Sequence, residues 1–401
     1  GYFVNTCGGT ITVTLPSSPS AGNIISIKDY ATTFGSNNVT LCRNGSKIGG
    51  ETLNATLKTN GDAVTLVYVD ATEGWINVNT DDTVAGEAYV TATGGTITTC
   101  GNFKVHTFTA SGCFQVTNAG NAAGSNTVDY LVVAGGGGTS SGDGGGGGAG
   151  GYRESDGTSS GGYSVSPLGG CVSGLAVPVQ TYPITVGAGG AGGSPYPGTN
   201  GGASGSTSTF STISSAGGGA GGQSFPASNP NFPNNVGVAG GSGGGGAYAC
   251  TGPGSPSSTT NPNTQGGAGN TPPVSPPQGN PGGAGQTGYY GNHGGGGGAT
   301  SAGGTASGPS PSPGGAGGNG GNGATSEITF SPVARGGGGG GPGYTGATAG
   351  TAGPGGGGAG RNSPGVGTAG TANTGGGAGG SKGALGAAGG SGVVIIRYKF
   401  Q

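Results

Sequence analysis

The chain has 401 residues, of which 110 are glycine and 25 are proline, whereas only 11 are basic and 13 are acidic. Collagen requires glycine at every third position, and disordered chains usually carry a high net charge. The glycine runs follow no sustained triplet and the formal net charge is −2, which excludes a collagen helix and favours a chain that condenses or folds.

Residues 1–82 show the period-two alternation of apolar and polar residues that predicts β-strands. The predicted strands are 10–15, 23–30, 38–42, 63–69 and 75–78, with glycine, asparagine and aspartate between them. No segment has helical periodicity, so we predict a small all-β domain. Trp75 lies beside alternating isoleucine and valine, which favours a core position over a role as a ligand platform.

Residues 83–134 continue as strands, and a final apolar strand lies in residues 392–401. The predicted strands in the first of these segments are 88–92, 102–109, 113–116 and 129–134. We expect residues 129–134 to pair with 393–400 and to form a β base from which the intervening chain departs and to which it returns. Closing so long an excursion costs only ~3 kcal/mol more than closing a ten-residue loop.

Most of the glycines lie in residues 135–391, where side chains cannot supply a core. Extended helices of the polyproline II type have no internal hydrogen bonds, but they can bond to each other where no Cβ intervenes. We therefore predict packed polyglycine II-like rods, with a disordered linker as the alternative. The predicted rods are 135–138, 144–148, 243–246, 294–298, 336–341 and 355–358. Variable loops are predicted at 152–186, 194–238, 247–293, 305–335 and 342–350.

Catalytic, metal-binding and nucleic-acid-binding patterns are not found in the sequence. The two histidines are His106, in the middle of a predicted strand and expected to be structural, and His293. No basic cluster indicates nucleic acid, and no apolar run approaches the ~20 residues that span a bilayer. We expect no enzyme activity, no cofactor, no metal and no membrane insertion.

Six cysteines leave two interpretations open. Cys7, Cys42, Cys100, Cys113, Cys171 and Cys250 contain no CxxC spacing, and six cysteines allow 15 disulfide pairings. Cys100 and Cys113 flank one predicted strand, which is compatible with a pair across a hairpin. Free cysteines that serve as small buried apolar residues are the interpretation that we favour.

Three segments of the chain resemble the glycine-rich domain of phage tail-fibre proteins. They are ThrPheThrAlaSerGlyCysPheGlnVal at 107–116, TyrLeuValValAlaGlyGlyGlyGly at 130–138 and GlySerGlyValValIleIleArgTyr at 390–398. Residues 10–80 also resemble a small β module upstream in such proteins of marine cyanophages, and TyrArgGlu at 152–154 fits the resemblance. The adhesins of T-even-like phages use a similar polyglycine sandwich with receptor-binding loops at its tip.

The resemblance implies an extracellular virion tail fibre, a homotrimer that contacts other tail or fibre proteins and binds a host cell-surface glycan or outer-membrane protein. A structural subunit of a microbial extracellular or cell-surface fibril is the alternative. Aromatic platforms suit receptor recognition, and large side chains are scarce among the glycines. The predicted receptor-binding residues are Tyr248, Tyr289, Tyr290 and His293, followed by Phe225 and Phe232. The other interpretation is that these rings cap the edge of the glycine lattice.

Overall fold

The computed structural model describes residues 1–79, 87–169, 172–194, 201–224, 235–248, 264–287, 291–308, 314–344, 346–362, 364–383 and 385–401. These residues form strands and extended segments, and the one helical element among them is a single 3-10 turn, Thr158–Ser160. The predicted all-β class is confirmed. No helix within the described ranges has the length and apolar character needed to cross a membrane.

The first 79 residues form a β module with its own core. Its strands are β1 (Tyr2–Val4), β2 (Ile11–Thr14), β3 (Ile24–Asp29), β4 (Val39–Cys42), β5 (Ala55–Leu57), β6 (Ala63–Tyr68) and β7 (Trp75–Asn77). One sheet has the order β1-β3-β6-β7 and the other β2-β4-β5. Apolar side chains alternate inward along these strands and fill one cluster, in which Trp75 is fully buried as predicted.

The next strands build a two-sheet base. They are β8 (Val90–Thr93), β9 (Thr96–Cys100), β10 (Phe103–Phe108), β11 (Gly112–Ala119) and β12 (Thr127–Val133). Shorter strands follow within the glycine-rich region: β13 (Asp143–Gly144), β14 (Tyr152–Glu154), β15 (Leu175–Ala176), β16 (Thr181–Thr185), β17 (Ser208–Phe210), β18 (Ile213–Ser215), β19 (Gln223–Ser224), β20 (Ala324–Ser326) and β21 (Val333–Arg335). The last strand is β22 (Val393–Lys399).

The predicted closing strand lies at the centre of the base. β22 pairs antiparallel with β12 in a register that joins Asp129 to Arg397 and Val133 to Val393, and it pairs with β10 on its other side. The sheet order is β14-β12-β22-β10-β9. The prediction that 129–134 and 393–400 pair is therefore confirmed, and the glycine region starts and ends at one base.

A second sheet, of order β18-β17-β16-β11-β8, packs on this one. Phe114 and Phe210 from the second sheet meet Tyr130 and Tyr398 from the first in a shared core. β16, β17 and β18 come from segments predicted as loops, so that prediction is wrong for them: alternating inward residues such as Tyr182 bury their side chains in the base.

The glycine region forms extended rods that lie side by side. In the central rod, residues 145–151, successive amides donate to different neighbours and every third amide returns to the same one. Gly145 and Gly148 thus donate to the carbonyls of Gly222 and Gly219, each at 2.9 Å. This threefold repeat is that of the polyproline II conformation. The central rod bonds to six neighbours: 134–138, 216–222, 242–247, 294–299, 336–341 and 375–380.

The rods approach so closely that a side chain cannot fit between them. A Cβ added to Gly146 would lie 2.2 Å from the carbonyl oxygen of Gly339, and one added to Gly147 would lie 2.1 Å from that of Gly137. Backbone groups thus replace side chains as the interior. Five of the six predicted runs are rods, whereas 355–358 begins in a turn, where Gly355 has a φ of 98°. The buried rod 375–380 was not predicted.

An outer layer of rods surrounds this inner group. In residues 187–193 every third residue, Gly187, Gly190 and Gly193, is buried, whereas Ala188 and Ala191 are exposed. Further outer rods are 203–206, 264–269, 280–285, 317–323, 350–353, 367–371 and 385–391. Several lie in insertions predicted as loops, so those predictions are wrong there. In an outer rod one residue in three faces outward and can carry a side chain, so the sequence shows no uninterrupted glycine run.

The prediction for His106 is confirmed, whereas the prediction for the cysteines is wrong. His106 is buried and structural as predicted, with Nδ1 2.7 Å from the carbonyl oxygen of Gly94 and Nε2 3.0 Å from the hydroxyl of Tyr398. The expectation of buried cysteines is wrong for the described ones. Cys7, Cys42, Cys100 and Cys113 are free, three exposed and Cys42 half-buried. Cys7 lies in a turn, Cys42 and Cys100 end their strands, and Cys113 lies on the outward face of β11.

Candidate functional site

The far end of the rod bundle, opposite the base, is the candidate site. Rod 135–139 leaves β12, turns at residues 140–144 and returns through the central rod into β14, so this turn marks the far end. Five more segments meet there: 222–224, 247–248, 291–293, 341–344 and 380–383. Their proximity follows from β13 pairing with β19, from His293 N–H donating to Pro342 and from Gly383 N–H donating to Gly142.

Tyr248 and His293 form an aromatic pair at this end. The ring centroids lie 5.2 Å apart with the planes at 85°, which is an edge-on contact. His293 is buried, and its Nδ1 makes no hydrogen bond in the described structure. Burial, helped by the positive charge of Lys382, lowers the pKa of His293 to about 3. The imidazole is therefore neutral at physiological pH and acts as an apolar ring with one polar edge.

Lys382 and Tyr344 form a second aromatic contact at the same end. The ammonium of Lys382 lies 3.7 Å from the centroid of the Tyr344 ring, within the range of a cation–π interaction. Burial lowers the pKa of Lys382, and the Asp143 carboxylate opposes this shift. Burial in turn raises the pKa of Asp143, and the charge of Lys382 opposes that shift. Each charge thus offsets part of the other's desolvation cost.

Asn292 connects the segments 291–293 and 341–344 to each other and to the residues Gln286 and Ser307. Its Nδ2 donates to the carbonyl of Ser307 at 2.9 Å, and its Oδ1 accepts from the backbone amide of Tyr344 at 2.7 Å. Its own amide donates to Oε1 of Gln286, also at 2.9 Å. A buried amide with this set of partners fixes the relative positions of the rod ends. The aromatic residues beside it are therefore presented on a rigid support.

Of the predicted receptor-binding residues, the structure brings Tyr248 and His293 together. Tyr248 is half-buried and His293 is buried, so Tyr248 offers more of its ring to solvent. Phe225, Phe232, Tyr289 and Tyr290 lie outside the described residues. The receptor-binding role of all six stays a prediction.

Sequence reasoning missed Tyr344, Lys382 and Asp143 at this end. Tyr344 follows the run 336–341 after Pro342, and this is the signal that singled out Tyr248 after the run 243–246. Applied consistently, that rule finds Tyr344. Lys382 and Asp143 had no such signal, because isolated charges near a glycine run predict nothing about which rods become neighbours.

Aromatic rings and groups of opposite charge make up the chemistry that this end presents. Within the described part of the chain, no group of three or more His, Cys, Asp or Glu side chains is placed to hold a metal ion. The rings of Tyr248, His293 and Tyr344 offer apolar faces beside the ammonium of Lys382 and the carboxyl group of Asp143. Such a combination is typical of sites that recognise saccharides or protein surfaces.

Comparison with known families gives one match. The family described as the glycine-rich domain matches residues 108–399, a segment that begins at the end of β10 and ends with β22. It therefore includes part of the base and all of the rods. A comparison with curated proteins finds no matching relative.

Proposed function

The chain belongs to the glycine-rich domain family, and from this premise we propose that it is the structural and receptor-binding segment of a phage tail fibre. In this proposal the chain is not an enzyme. It is an extracellular part of the virion, a homotrimer that adjoins other tail or fibre proteins, and it meets a host glycan or outer-membrane protein with the far end of its rods.

The observation that supports the proposal is the contrast between the rods and their far end. The rods bond to one another through main-chain groups that are the same whatever the sequence of the turns. The turns at the far end carry Tyr248, Tyr344 and Lys382, which are among the few large side chains of the region. A rigid frame with variable turns at one end is suited to changing specificity without refolding.

Adsorption measurements test this proposal. Purified chain should compete with the phage for host cells, and Tyr248→Ala or the double change Tyr289→Ala with Tyr290→Ala should weaken competition at least tenfold. Tyr30→Ala is the matched control, because Tyr30 is 67% exposed in the amino-terminal module. Competition by the parent chain that is lost only in the Tyr248 variant and in the Tyr289 and Tyr290 double variant, with unchanged melting, supports a role of those residues in binding.

Three outcomes oppose the proposal. Parent chain that does not compete at micromolar concentration removes the receptor-binding role. Competition that falls equally in Tyr30→Ala places the contact elsewhere. A lowered melting temperature of the Tyr248 variant or of the Tyr289 and Tyr290 double variant makes the rings structural.

The second candidate function, a fibril subunit, is favoured by the flanks of the outer rods. Their outward positions carry small uncharged residues, such as Ala188, Ala191 and Ala388, which present little barrier to lateral packing. Electron microscopy of the purified chain distinguishes the two functions. Long regular filaments would favour the fibril, and discrete particles would favour the fibre segment.

A further inference from the structure

Two cations and one carboxyl group lie at the far end of the rod bundle. Residues 135–391 contain eight charged residues. Five of them lie in or beside β14, β20 and β21, against the base: Arg153, Glu154, Asp156, Glu327 and Arg335. The other three are Asp143, Arg361 and Lys382, so the far end has a surplus of positive charge in a chain whose formal net charge is −2.

The side chains of Arg361 and Lys382 share one face of a short antiparallel pairing. Gly365 and Lys382 exchange backbone hydrogen bonds of 2.9 and 3.1 Å. Residues paired in this way direct their Cβ positions to the same face. A Cβ added to Gly365 would lie 3.0 Å from Nε of Arg361, so the guanidinium occupies the space that a side chain at 365 would take. Glycine at 365 thus makes the two cations neighbours.

The ammonium of Lys382 has no hydrogen-bond acceptor within the described structure. Its Nζ is covered, faces the Tyr344 ring and makes no hydrogen bond. Among the described residues, the one ion pair within 4.0 Å joins Lys58 to Glu87. Asp143 therefore acts on Lys382 from a greater distance. Because the ammonium has three donors and a covered cation without a partner is costly, an acceptor from outside the chain would stabilise it.

Both cations can reach a ligand at the surface. Arg361 is exposed and Lys382 is half-buried, and the four-carbon stem of a lysine is flexible. A cation–π contact at a partly exposed position is weaker than a hydrogen bond between two charged groups. An anion beside Arg361 would therefore draw the ammonium away from Tyr344, and the ring would then be open to an apolar face of the same ligand.

We propose that the far end binds an anionic saccharide, whose carboxylate or phosphate group lies between Arg361 and Lys382 and whose sugar ring packs on Tyr344. A guanidinium binds either anion through two parallel hydrogen bonds. The flat face of a tyrosine matches the apolar face of a sugar, and its hydroxyl adds a polar contact. The inference rests on the proposed function and identifies the class of receptor that this end recognises.

Ligand-observed NMR titration of the purified full chain tests this site. The probes are glucuronate and glucose 6-phosphate, with glucose as the neutral match, and acetate and inorganic phosphate as the same anions without a sugar ring. One anionic sugar should bind about tenfold more tightly than glucose and than its bare anion, and the tighter of the two identifies the anion. Equal binding of the anionic sugars and glucose would overturn the proposal. Bare anions that bind as tightly as the anionic sugars would overturn the saccharide.

Charge variants locate the binding of the tighter probe. Lys382→Gln and Arg361→Gln should each weaken it about tenfold, whereas Asp143→Asn removes the neighbouring negative charge and should strengthen it. Lys47→Gln is the matched control, because it removes a half-buried lysine of the amino-terminal module. Arg361 is exposed, so its change should leave the melting temperature intact. An Arg361 variant that binds as the parent does, or an Asp143→Asn chain that binds more weakly, would contradict the site.

Competition with the phage for host cells is measured on the same variants. A chain that binds the anionic sugar through Arg361 and Lys382 but does not compete retains this site and loses the proposed receptor-binding role. A chain that competes but does not distinguish anionic sugars from glucose retains that role and loses this site. The two failures are therefore distinguishable.

Discussion

The base and the rod bundle fill their interiors in different ways, the base with apolar side chains and the bundle with hydrogen-bonded backbone. In the base, Phe114, Phe210 and Tyr398 pack between two sheets, and apolar burial excludes water. In the bundle, the interior contains almost no side chains, and every amide of the central rod, 145–151, donates to a neighbouring rod. The base therefore tolerates changes that conserve volume, whereas a glycine that faces the backbone of a neighbouring rod, such as Gly146, tolerates no added atom.

The two regions also depend on each other. The base sheet is buried on both faces, because Leu131, Val133 and Ile395 pack on its second face against Ala299 and Ile328 from the glycine-rich region. Isolated glycine helices have no side-chain core and pay a large backbone entropy on ordering. The base holds the first and last rods in register, which reduces that cost for the rods between them.

Removal of the closing strand should have the largest effect. Deletion of residues 393–401 leaves β12 and β10 without their common neighbour and removes Val394, Ile396 and Tyr398 from the core. We expect the product to be insoluble. Expression, fractionation and limited proteolysis measure this, and a soluble, protease-resistant truncation would show that the rods hold together without the base.

A single β-branched residue inside the bundle should have the next largest effect. A Cβ at Gly338 would lie 2.2 Å from the carbonyl oxygen of Gly296, where neither backbone can move freely. Gly338→Val should therefore cost about 3 kcal/mol or more, at or above the upper end of overpacking in side-chain cores. Thermal or denaturant unfolding of the purified chain measures the loss.

The matched control for this change is Ala191→Val on an outer rod. Ala191 occupies an outward position and is exposed, so its added methyl groups meet solvent. We expect a change within about 0.5 kcal/mol, as for ordinary surface substitutions. Equal melting of both variants and the parent would mean that rod 336–341 is not packed as the structure has it.

The base was predictable because its signals are local. Short apolar runs in residues 129–134 and 393–400 identify two strands, and two apolar strands that bracket a glycine-rich excursion are expected to pair. The inner rods were predictable for a similar reason: uninterrupted glycine, as in 336–341, is compatible with contact on all sides. The pairing and the runs therefore needed no knowledge of the three-dimensional arrangement.

The outer rods and the site could not be predicted without the three-dimensional arrangement. In 187–193 the sequence GlyAlaGlyGlyAlaGlyGly places alanine at each outward position, and this triplet is too short to be read as a repeat. The meeting of Tyr248 with His293, and of Lys382 with Tyr344, depends on which rods become neighbours. Glycine runs are chemically identical, so the sequence contains little information about their order in the lattice.

Acidification can show whether the two regions unfold together. Burial lowers the pKa of His106 in the base from its ordinary value of 6.5, with Lys104 adding to the shift and the Gly94 carbonyl opposing it. Burial likewise lowers the pKa of His293 at the far end. The unfolded chain then binds more protons than the folded chain below pH 6.5, so stability falls as pH falls, by at most about 1.4 kcal/mol per unit for each histidine.

Melting temperatures between pH 7.5 and 5 measure this slope, in a window above the titration of most carboxylates. His106→Gln and His293→Gln should each remove one histidine's share of the slope if base and bundle unfold as one unit. If only His106→Gln flattens the profile, the base melts while the far end stays folded, and the two interiors are independent. A parent chain whose melting temperature is constant or rises on acidification would contradict the burial of both rings. Since base and bundle are joined through β12 and β22, we expect both variants to reduce the slope.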